Sequence, residues 1–279
     1  MNWRTIRAIA LKDWREVRGN KMAWAPTLIV PLIFCVVLPL LIIVLPGTLS
    51  NGEAGDMMKD ADLELFLANL PPAMAASIAG LNESQTMIVL LLGYLFSPLF
   101  LILPIMTSSV IGSDSFVGEK ERKTMEALLY TPATERELFT GKMLAAVIPA
   151  VLLTWAGFAV YTLVLNSAGG VVMGRVWFPL PHWWVMVLWV TPAVAVLGMM
   201  GAVVISARVK SFMEAYQNTG LLVLPVIMLV IGQVAGLLYL SVLVAFGIGL
   251  VVWLIDGILL LFALRIVTRA ALMGADKGA

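Results

Sequence analysis

The sequence predicts an all-α membrane protein: six transmembrane helices, an amino-terminal interfacial helix, and a polar cytoplasmic segment between spans two and three. Three observations lead to this fold class. Apolar residues make up 61% of the 279 residues and charged residues 13%, whereas soluble domains average about 45–50% and about 25%. The apolar residues form long blocks, with a mean hydropathy of +0.98. Basic residues lie almost entirely on one side of those blocks.

Residues 2–20 are predicted to form a helix that lies in the membrane interface. At about 100° per residue, an apolar arc separates from a basic arc, as in helices that lie on a membrane. Leu11 and Asp13 interrupt this pattern. The alternative is a basic arm whose helical pattern is accidental. The apolar arc contains Trp3, Ile6, Ile9, Ala10, Trp14 and Val17, and the basic arc contains Arg4, Lys12, Arg15 and Arg18.

Six apolar segments are long enough to cross a bilayer. A hydrocarbon core about 30 Å thick requires roughly 20 residues of helix, in which every backbone polar group is satisfied internally. The last two segments are separated only by residues 238–241, so this region is either two full spans or includes a re-entrant element. The segments lie near residues 23–46, 86–111, 143–165, 184–206, 219–238 and 242–264.

Lysine and arginine predict the orientation, because positively charged loops stay in the cytoplasm. Of the 18 basic residues, all but Lys59 and Arg175 fall on the side that carries both termini. Both termini are therefore expected to be cytoplasmic, in the inner (cytoplasmic) membrane. This asymmetry also supports an even number of spans. The net charge of +1 gives no indication of nucleic-acid binding.

The external loops are predicted to lie at the membrane surface or in solvent. Residues 47–85 contain six acidic residues and one lysine. This is typical of a solvated loop on the side of the membrane opposite to the basic residues. Gathering cations at a pore mouth is the alternative. Residues 63–70 are predicted to form a short helix ended by two prolines. The second loop is predicted to form an aromatic belt with Trp177, Phe178, His182, Trp183 and Trp184.

Cysteine and histidine usage excludes two kinds of site. Cys35 is the only cysteine and lies in span one, so neither an intrachain disulfide nor a thiolate metal site is expected. His182 is the only histidine, and its position is more typical of an interfacial side chain than of a ligand. We therefore expect no metal site on this chain.

The cytoplasmic stretch of residues 112–142 is the most informative part of the sequence. Residues 119–130 are rich in helix formers, and Pro132 ends this helix because a residue before proline is pushed out of the helical region. Thr134 and Glu137 have the spacing of a capping box, which begins a second helix that can continue into span three. Two helices around a corner form a rigid polar projection that a simple linker would not need.

This stretch resembles the cytoplasmic loop of type-2 ABC exporter permeases. In that family Gly-Glu-Lys/Arg-Glu is followed by Thr-Leu/Met-Glu-x-Leu-Leu, a proline and a later Gly-Lys. The ordered match covers about 25 residues, and the remaining resemblance is topological. The matching elements here are Gly118 to Glu121, Thr124 to Leu129, Pro132, and Gly141 with Lys142.

The resemblance implies that residues 1–279 form a single permease domain, with the coupling segment at 112–142. In this family the loop docks into a cleft on an ATPase subunit and passes its motion to the spans. We expect the glutamates to pair with basic residues across that interface. Two nucleotide sites also imply a second copy of this chain or a sister permease. The implied coupling residues are Gly118, Glu119, Lys120, Glu121, Thr124, Glu126, Leu129, Pro132, Arg136 and Glu137.

The sequence does not contain the phosphate-binding loop of an ATPase. That loop requires Gly-x-x-x-x-Gly-Lys-Ser/Thr, so that backbone amides hold phosphate while the lysine reaches the outer phosphates. Neither Gly118-Glu119-Lys120 nor Gly141-Lys142-Met143 fits. ATP and Mg²⁺ are therefore expected on the partner ATPase, and no cofactor is expected on this chain.

Polar residues within the spans are candidates for the substrate path. Asp256 lies near the middle of span six, where an ionisable side chain costs at least about 2.5 kcal/mol unless it is paired or hydrated. We expect it to face a water-filled cavity between two permease subunits; a role in helix packing is the alternative. Gln233, Ser97 and Thr107 are the other candidates, although hydroxyl groups in membrane helices usually bond to their own backbone.

Two other classes of function are compatible with parts of the sequence. One is an ion-gradient-driven secondary transporter or channel with Asp256 as the coupling site. No internal repeat is visible in the sequence, which weakens that class. The other is an intramembrane enzyme that uses the glutamates of residues 119–126. No histidine or cysteine lies near them to complete a metal or nucleophilic site.

Overall fold

The computed structural model describes residues 2–19, 21–49, 70, 72–122, 132–206, 208–209 and 211–266. Six helices in these ranges are long and apolar enough to cross a membrane, which confirms the predicted spans, including separate fifth and sixth spans. No strand occurs in the described ranges. The helix predicted at 63–70 lies outside them except for Leu70, as does most of the helix predicted at 119–130.

The spans are built from continuous and interrupted helices. The N-terminal helix is Trp3–Gly19, and a short outer helix is Pro72–Ile78. Span one comprises Lys21–Leu32, Ile33–Val37 and Leu38–Leu49; span two comprises Glu83–Ile88, Val89–Leu95, Phe96–Leu99, Ile102–Ser113, Asp114–Gly118 and Glu119–Glu121. Span three is Glu135–Met173; span four comprises Pro181–Val185, Met186–Val190 and Thr191–Ser206. Span five comprises Phe212–Thr219, Gly220–Val223 and Leu224–Val234; span six is Val242–Ile266.

Span two is the centre of the helix bundle. Within its most apolar stretch, 78% of the residues are buried, against 17% in each of spans five and six. Spans three and four pack along span two. The outward side chains of spans one, five and six are large and apolar, as expected for surfaces that face lipid or another subunit. They include Leu32, Leu41, Leu221, Met228, Leu254 and Leu261.

Small residues bring spans two and four into close contact. A Cβ added at Gly198 would lie 2.3 Å from the Ser108 hydroxyl oxygen and 2.9 Å from the Ile105 carbonyl oxygen. On the other side of the contact, a Cβ at Gly112 would lie 2.7 Å from the Met199 sulfur. Lipid provides no hydrophobic force between helices, so this close approach of the backbones is what holds the pair together.

A π-helical segment in span two organises the aromatic core. A π turn shifts the backbone hydrogen-bond pattern, so some carbonyl oxygens need other donors. In the segment Val89–Leu95, the Gly93 carbonyl oxygen accepts a 2.7 Å hydrogen bond from Trp183 Nε1, and the Leu92 carbonyl oxygen accepts one of 2.7 Å from the Tyr161 hydroxyl. The indole and phenol groups are thus held inside the bundle, where their rings stack at 5.3 Å.

The predicted aromatic belt is wrong for three of its five residues. Phe178, His182 and Trp183 are buried, and Trp177 is half-buried. His182 stacks on Tyr94, with ring centroids 5.1 Å apart, and its Nε2 lies 3.2 Å from the Gly93 carbonyl oxygen. The acceptors in span two therefore draw this loop inward. Trp184, which is 51% exposed, is the member of the five that keeps a surface position.

Replacing Gly198 with alanine tests the contact between spans two and four. The added methyl group would force the two helices apart, so Gly198→Ala is expected to lower the apparent melting temperature of the detergent-purified protein. Gly247→Ala is the matched control, since a Cβ there meets no atom within 4 Å. Alanine is the better helix former by about 0.5–1 kcal/mol, so the control should be neutral or stabilising. Equal melting temperatures for the two variants would contradict this packing.

Candidate coupling site at the cytoplasmic face

Span three begins at the predicted capping box. The Thr134 hydroxyl accepts a 3.3 Å hydrogen bond from the Glu137 backbone N–H, and the Glu137 carboxylate accepts one of 3.0 Å from the Thr134 N–H. The helix then continues to Met173 without a break, over about 58 Å at about 1.5 Å per residue. This exceeds the hydrocarbon core of about 30 Å, so part of the helix extends beyond the membrane.

The same capping glutamate attaches the N-terminal helix. The second carboxylate oxygen of Glu137 accepts a hydrogen bond from the backbone N–H of Asn2, one residue before the helix begins. Glu137 is buried by this contact. Hydrogen bonds from the Asn2 and Thr134 amides hold the pKa of Glu137 below its usual value. One carboxylate therefore fixes the starts of two helices.

Lys142, the lysine of the Gly-Lys pair, is the centre of a buried ion cluster. Its ammonium group donates hydrogen bonds of 2.6 Å to Glu119 and 2.6 Å to the Ser115 carbonyl oxygen, and one of 3.4 Å to Asp13. It also lies 5.3 Å from the centroid of the Phe116 ring. Only 1% of its side chain is exposed. The lysine thus ties span three to the end of span two and to the N-terminal helix.

Lys12 completes the cluster from the N-terminal helix. Its ammonium group pairs with Glu119, lies 3.5 Å from Asp13 and pairs with Glu16 at 3.2 Å. Burial raises the pKa of Asp13, and the nearby Lys142 and Lys12 charges only partly oppose that effect. Burial acts to lower the pKa of Lys12, but Glu119, Asp13 and Glu16 raise it overall. We call Lys12, Asp13, Glu119 and Lys142 the buried ion cluster.

Two glycines of the motif are explained by close approaches in this region. A Cβ at Gly118 would lie 2.6 Å from an Asp114 carboxylate oxygen and 3.2 Å from Arg122 Nη1. Those two side chains form a 2.9 Å ion pair across the π-helical segment Asp114–Gly118. A Cβ at Gly141 would lie 2.8 Å from the side chain of Ile9. Both glycines therefore leave room for contacts inside the chain.

The end of span two is also joined to span five. The Glu121 carboxylate accepts a 2.9 Å hydrogen bond from the backbone N–H of Phe212, the first residue of span five. Ser211 caps the same helix, accepting a 3.2 Å hydrogen bond from the Glu214 N–H. The three residues Glu119–Glu121 thus connect to the N-terminal helix, span three and span five.

The predicted coupling residues divide into inward and outward groups. Gly118, Glu119 and Glu137 are buried and serve contacts within the chain. The outward group is exposed and consists of Lys120, Glu121, Pro132 and Arg136. Thr124, Glu126 and Leu129 lie outside the described residues. The structure therefore presents part of the motif to a partner and uses the other part as its internal support.

The direct interface role expected for Glu119 does not fit this structure. Its side chain is fully buried, and its two carboxylate oxygens bond to Lys142 and Lys12. A carboxylate in this position cannot reach a basic residue of another chain without breaking the cluster. Any contribution of Glu119 to coupling therefore passes through the cluster, whereas that of Glu121 is compatible with direct contact because this side chain is exposed.

The comparison with protein families agrees with this architecture. A family model described as ABC-2 family transporter protein matches residues 7–273. The chain belongs to this ABC-2 transporter family. Neither a curated protein nor a solved structure matches the chain. The match covers all six spans, and it confirms the resemblance to type-2 ABC permeases drawn from residues 118–142.

The membrane candidates of the ABC-2 permease do not converge on one site. Ser97 donates a 2.8 Å hydrogen bond to the Tyr94 carbonyl oxygen, and Gln233 Nε2 lies 3.5 Å from the same oxygen. Thr107 is on span two at a small gap beside Thr27. Gln233 and Ser97 are thus brought together, whereas Thr107 is elsewhere. A role of these residues in the substrate path stays a prediction.

Asp256 is not at a water-filled cavity in this conformation. It is 3% exposed and lies on the face of span six that packs against span four of the same chain. The expectation of a wet position between two subunits therefore does not describe this state of the permease.

Sequence reasoning missed Asp13 as a member of the ion cluster. The signal was present, because Asp13 interrupts the apolar arc of the N-terminal helix, where Ile6, Ile9 and Val17 are buried. An acidic residue on such an arc needs a buried partner. Lys142 is likewise a charged residue that is buried, near the start of span three. Asp13 and Lys142 lie 129 positions apart, however, and nothing in the sequence pairs them.

Replacing Lys142 with methionine tests the cluster. Methionine retains the apolar stem but removes the positive charge that Glu119 and Asp13 share. The two buried carboxylates then have less opposite charge near them, which is expected to cost about 3–5 kcal/mol of folding free energy. The melting temperature and yield of the purified ABC-2 permease measure the effect. Lys120→Met, at an exposed neighbouring position, is the matched control and should change stability by less than about 0.5 kcal/mol.

Restoring the charge balance should separate electrostatics from packing. Adding Glu119→Gln to Lys142→Met removes one of the two carboxylates that Lys142 helps to compensate, so the double variant is expected to recover part of the lost stability. If Lys142→Met alone is as stable as the Lys120→Met control, the cluster does not hold the three helices together.

Proposed function

We propose that this ABC-2 permease is the transmembrane subunit of an ATP-driven exporter. ATP and Mg²⁺ bind to a separate ABC ATPase chain, and two permease subunits, identical or sister, form the translocation path. The protein lies in the inner (cytoplasmic) membrane with both termini in the cytoplasm. The observation that carries this proposal is a group of exposed residues at the end of span two and the start of span three, next to the buried ion cluster. We call these residues, Lys120, Glu121, Pro132 and Arg136, the corner.

The corner has the properties required of a coupling element. Its exposed side includes Lys120, Pro132 and Arg136, which give a docking partner a polar, basic surface. Its inner side is joined to span three through Glu119 and Lys142. Between the described residues, a force applied to the outer side is therefore transmitted to span three through short contacts between buried charges.

The connections also indicate which helices respond. Glu121 joins the corner to the start of span five, and the ion cluster joins it to span three and the N-terminal helix. A displacement of the corner therefore acts on the cytoplasmic ends of these helices together. The N-terminal helix keeps Arg4 and Arg15 of its basic arc exposed, and Arg7 as well, which supports contact of this helix with anionic lipid at the membrane interface.

Coexpression with an ABC ATPase tests the proposal. The ATPase is expected to copurify with the permease, and its ATP hydrolysis in reconstituted vesicles should depend on the permease being present. An ion-gradient-driven transporter is the competing function. Transport driven by an imposed ion gradient, with the permease as the sole protein in the vesicle, would overturn the ATP-driven assignment.

Reversing the exposed charges tests the docking surface. Lys120→Glu combined with Arg136→Glu is expected to reduce ATPase association by about tenfold at low salt, because surface charges govern the rate of encounter. Membrane insertion and melting temperature should be retained, since both side chains are exposed. Arg175→Glu, an exposed change on the external side, is the matched control. Normal association of the double variant would remove these residues from the interface.

A further inference from the structure

Asp256 lies on the inward stripe of span six. Ala245, Gly249 and Ala263 share this stripe and are also buried, at spacings of about two or three helical turns. Asp256 is the 15th of the 25 residues in the helix Val242–Ile266, so it lies about 15 Å from the cytoplasmic end of the helix. The carboxyl group is thus deep in the membrane and faces protein, not lipid.

The contact between spans four and six is closed on both sides of this carboxyl group. Towards the external side, a Cβ at Gly249 would lie 2.4 Å from the Trp189 ring, which stacks on Phe246 with centroids 5.2 Å apart. Towards the cytoplasm, Leu259 and Ala263 pack in the cluster that contains Met199 of span four. The carboxyl group is therefore separated from water at either membrane surface.

Both carboxylate oxygens of Asp256 are buried without a hydrogen bond from any described residue. Thr191–Ser206 and Met186–Val190 of span four contain no charged or titratable side chain. Pro181–Val185 contains His182, whose ring is against span two at the Gly93 carbonyl oxygen. Within Val242–Ile266, the other charged residue is Arg265, nine positions away near the cytoplasmic end. Among the described side chains of the elements packed against it, an anionic Asp256 would therefore have no counter-ion.

We propose that Asp256 is a proton-binding site, which holds a proton while spans four and six are packed together and releases it when they separate. The first half follows from geometry. An ionised carboxylate without a partner costs at least about 2.5 kcal/mol at mid-membrane, whereas the neutral acid carries no net charge to compensate. Protonation is therefore the condition for the packing seen here.

Release of the proton follows when spans four and six are no longer packed together. When the two spans part, water reaches the carboxyl group, the O–H bond breaks, the proton passes to water and the carboxylate is hydrated. The anion then opposes closure until a proton returns. This half rests on the proposed ATP-driven cycle, because nucleotide binding to the ATPase is what would separate the spans; the first half does not depend on it.

A lipid-soluble carbodiimide tests the proposal, because it reacts with protonated carboxyl groups in apolar surroundings. The acid proton moves to a carbodiimide nitrogen and the carboxylate oxygen adds to the central carbon, after which the adduct rearranges to a stable N-acylurea. Dicyclohexylcarbodiimide would be added to the reconstituted permease–ATPase complex. Cleavage at methionine releases residues 229–273, in which Asp256 is the only carboxylic side chain, so mass spectrometry of this fragment assigns the site.

Label on this fragment is expected in the nucleotide-free complex, and a water-soluble carbodiimide should give none. The label should disappear in Asp256→Asn and persist in Asp256→Glu. Because asparagine is also neutral, Asp256→Asn should keep the melting temperature of the unchanged protein. Trapping the ATP-bound state should lower the labelling by dicyclohexylcarbodiimide severalfold.

Two results would overturn the proposal separately. An unlabelled fragment in the nucleotide-free state, for both the unchanged protein and Asp256→Glu, would show that Asp256 holds no proton there. Labelling that is unchanged by nucleotide, in a complex shown to hydrolyse ATP, would eliminate release on separation. Failure of the ATPase to associate would instead contradict the proposed function and leave the nucleotide-free labelling as a test of proton binding.

Discussion

The arrangement of the N-terminal helix against spans two and three depends on the desolvation of one ammonium group. Lys142 lies on span three and is removed from water, so its charge must be compensated by groups that the chain brings to it. These are Glu119 at the end of span two and Asp13 on the N-terminal helix. An exposed ion pair would contribute little and tolerate motion. A buried one fixes the mutual positions of three helices, because losing any partner leaves a charge without compensation.

This constraint changes how the coupling motif should be interpreted. Gly118 leaves space for the Asp114–Arg122 pair, and Gly141 lets the N-terminal helix approach span three. Glu119 and Lys142 are then close enough to bond. Among the described residues of the motif, the buried ones thus make contacts within the chain, and Lys120, Glu121 and Pro132 are exposed where a partner can reach them. The same sequence elements can serve docking and internal support because successive residues around a helix face in different directions.

The sequence predicts those features that depend on local patterns. It does not predict features that depend on contacts between residues far apart in the sequence. Six spans follow from hydropathy, and the start of span three follows from Thr134 and Glu137, which lie in one helical turn. The inward direction of Glu119 depends on Lys12, 107 positions away, and no local pattern reports it. The burial of Trp183 depends on the Gly93 carbonyl oxygen in a π turn, a backbone feature that hydropathy does not detect.

Lys142 and Asp256 represent two solutions to the same desolvation cost. At Lys142 the chain supplies opposite charges, so the ion keeps its charge and the surrounding helices are held together in one arrangement. At Asp256 spans four and six supply no opposite charge within their described residues, so the carboxyl group is compatible with close packing only as the neutral acid. The first arrangement does not depend on whether spans four and six are packed together, whereas the second does. In the proposed ATP-driven cycle, the fixed contact would transmit force from the ends of spans two and three, and the conditional contact would allow spans four and six to separate within the membrane.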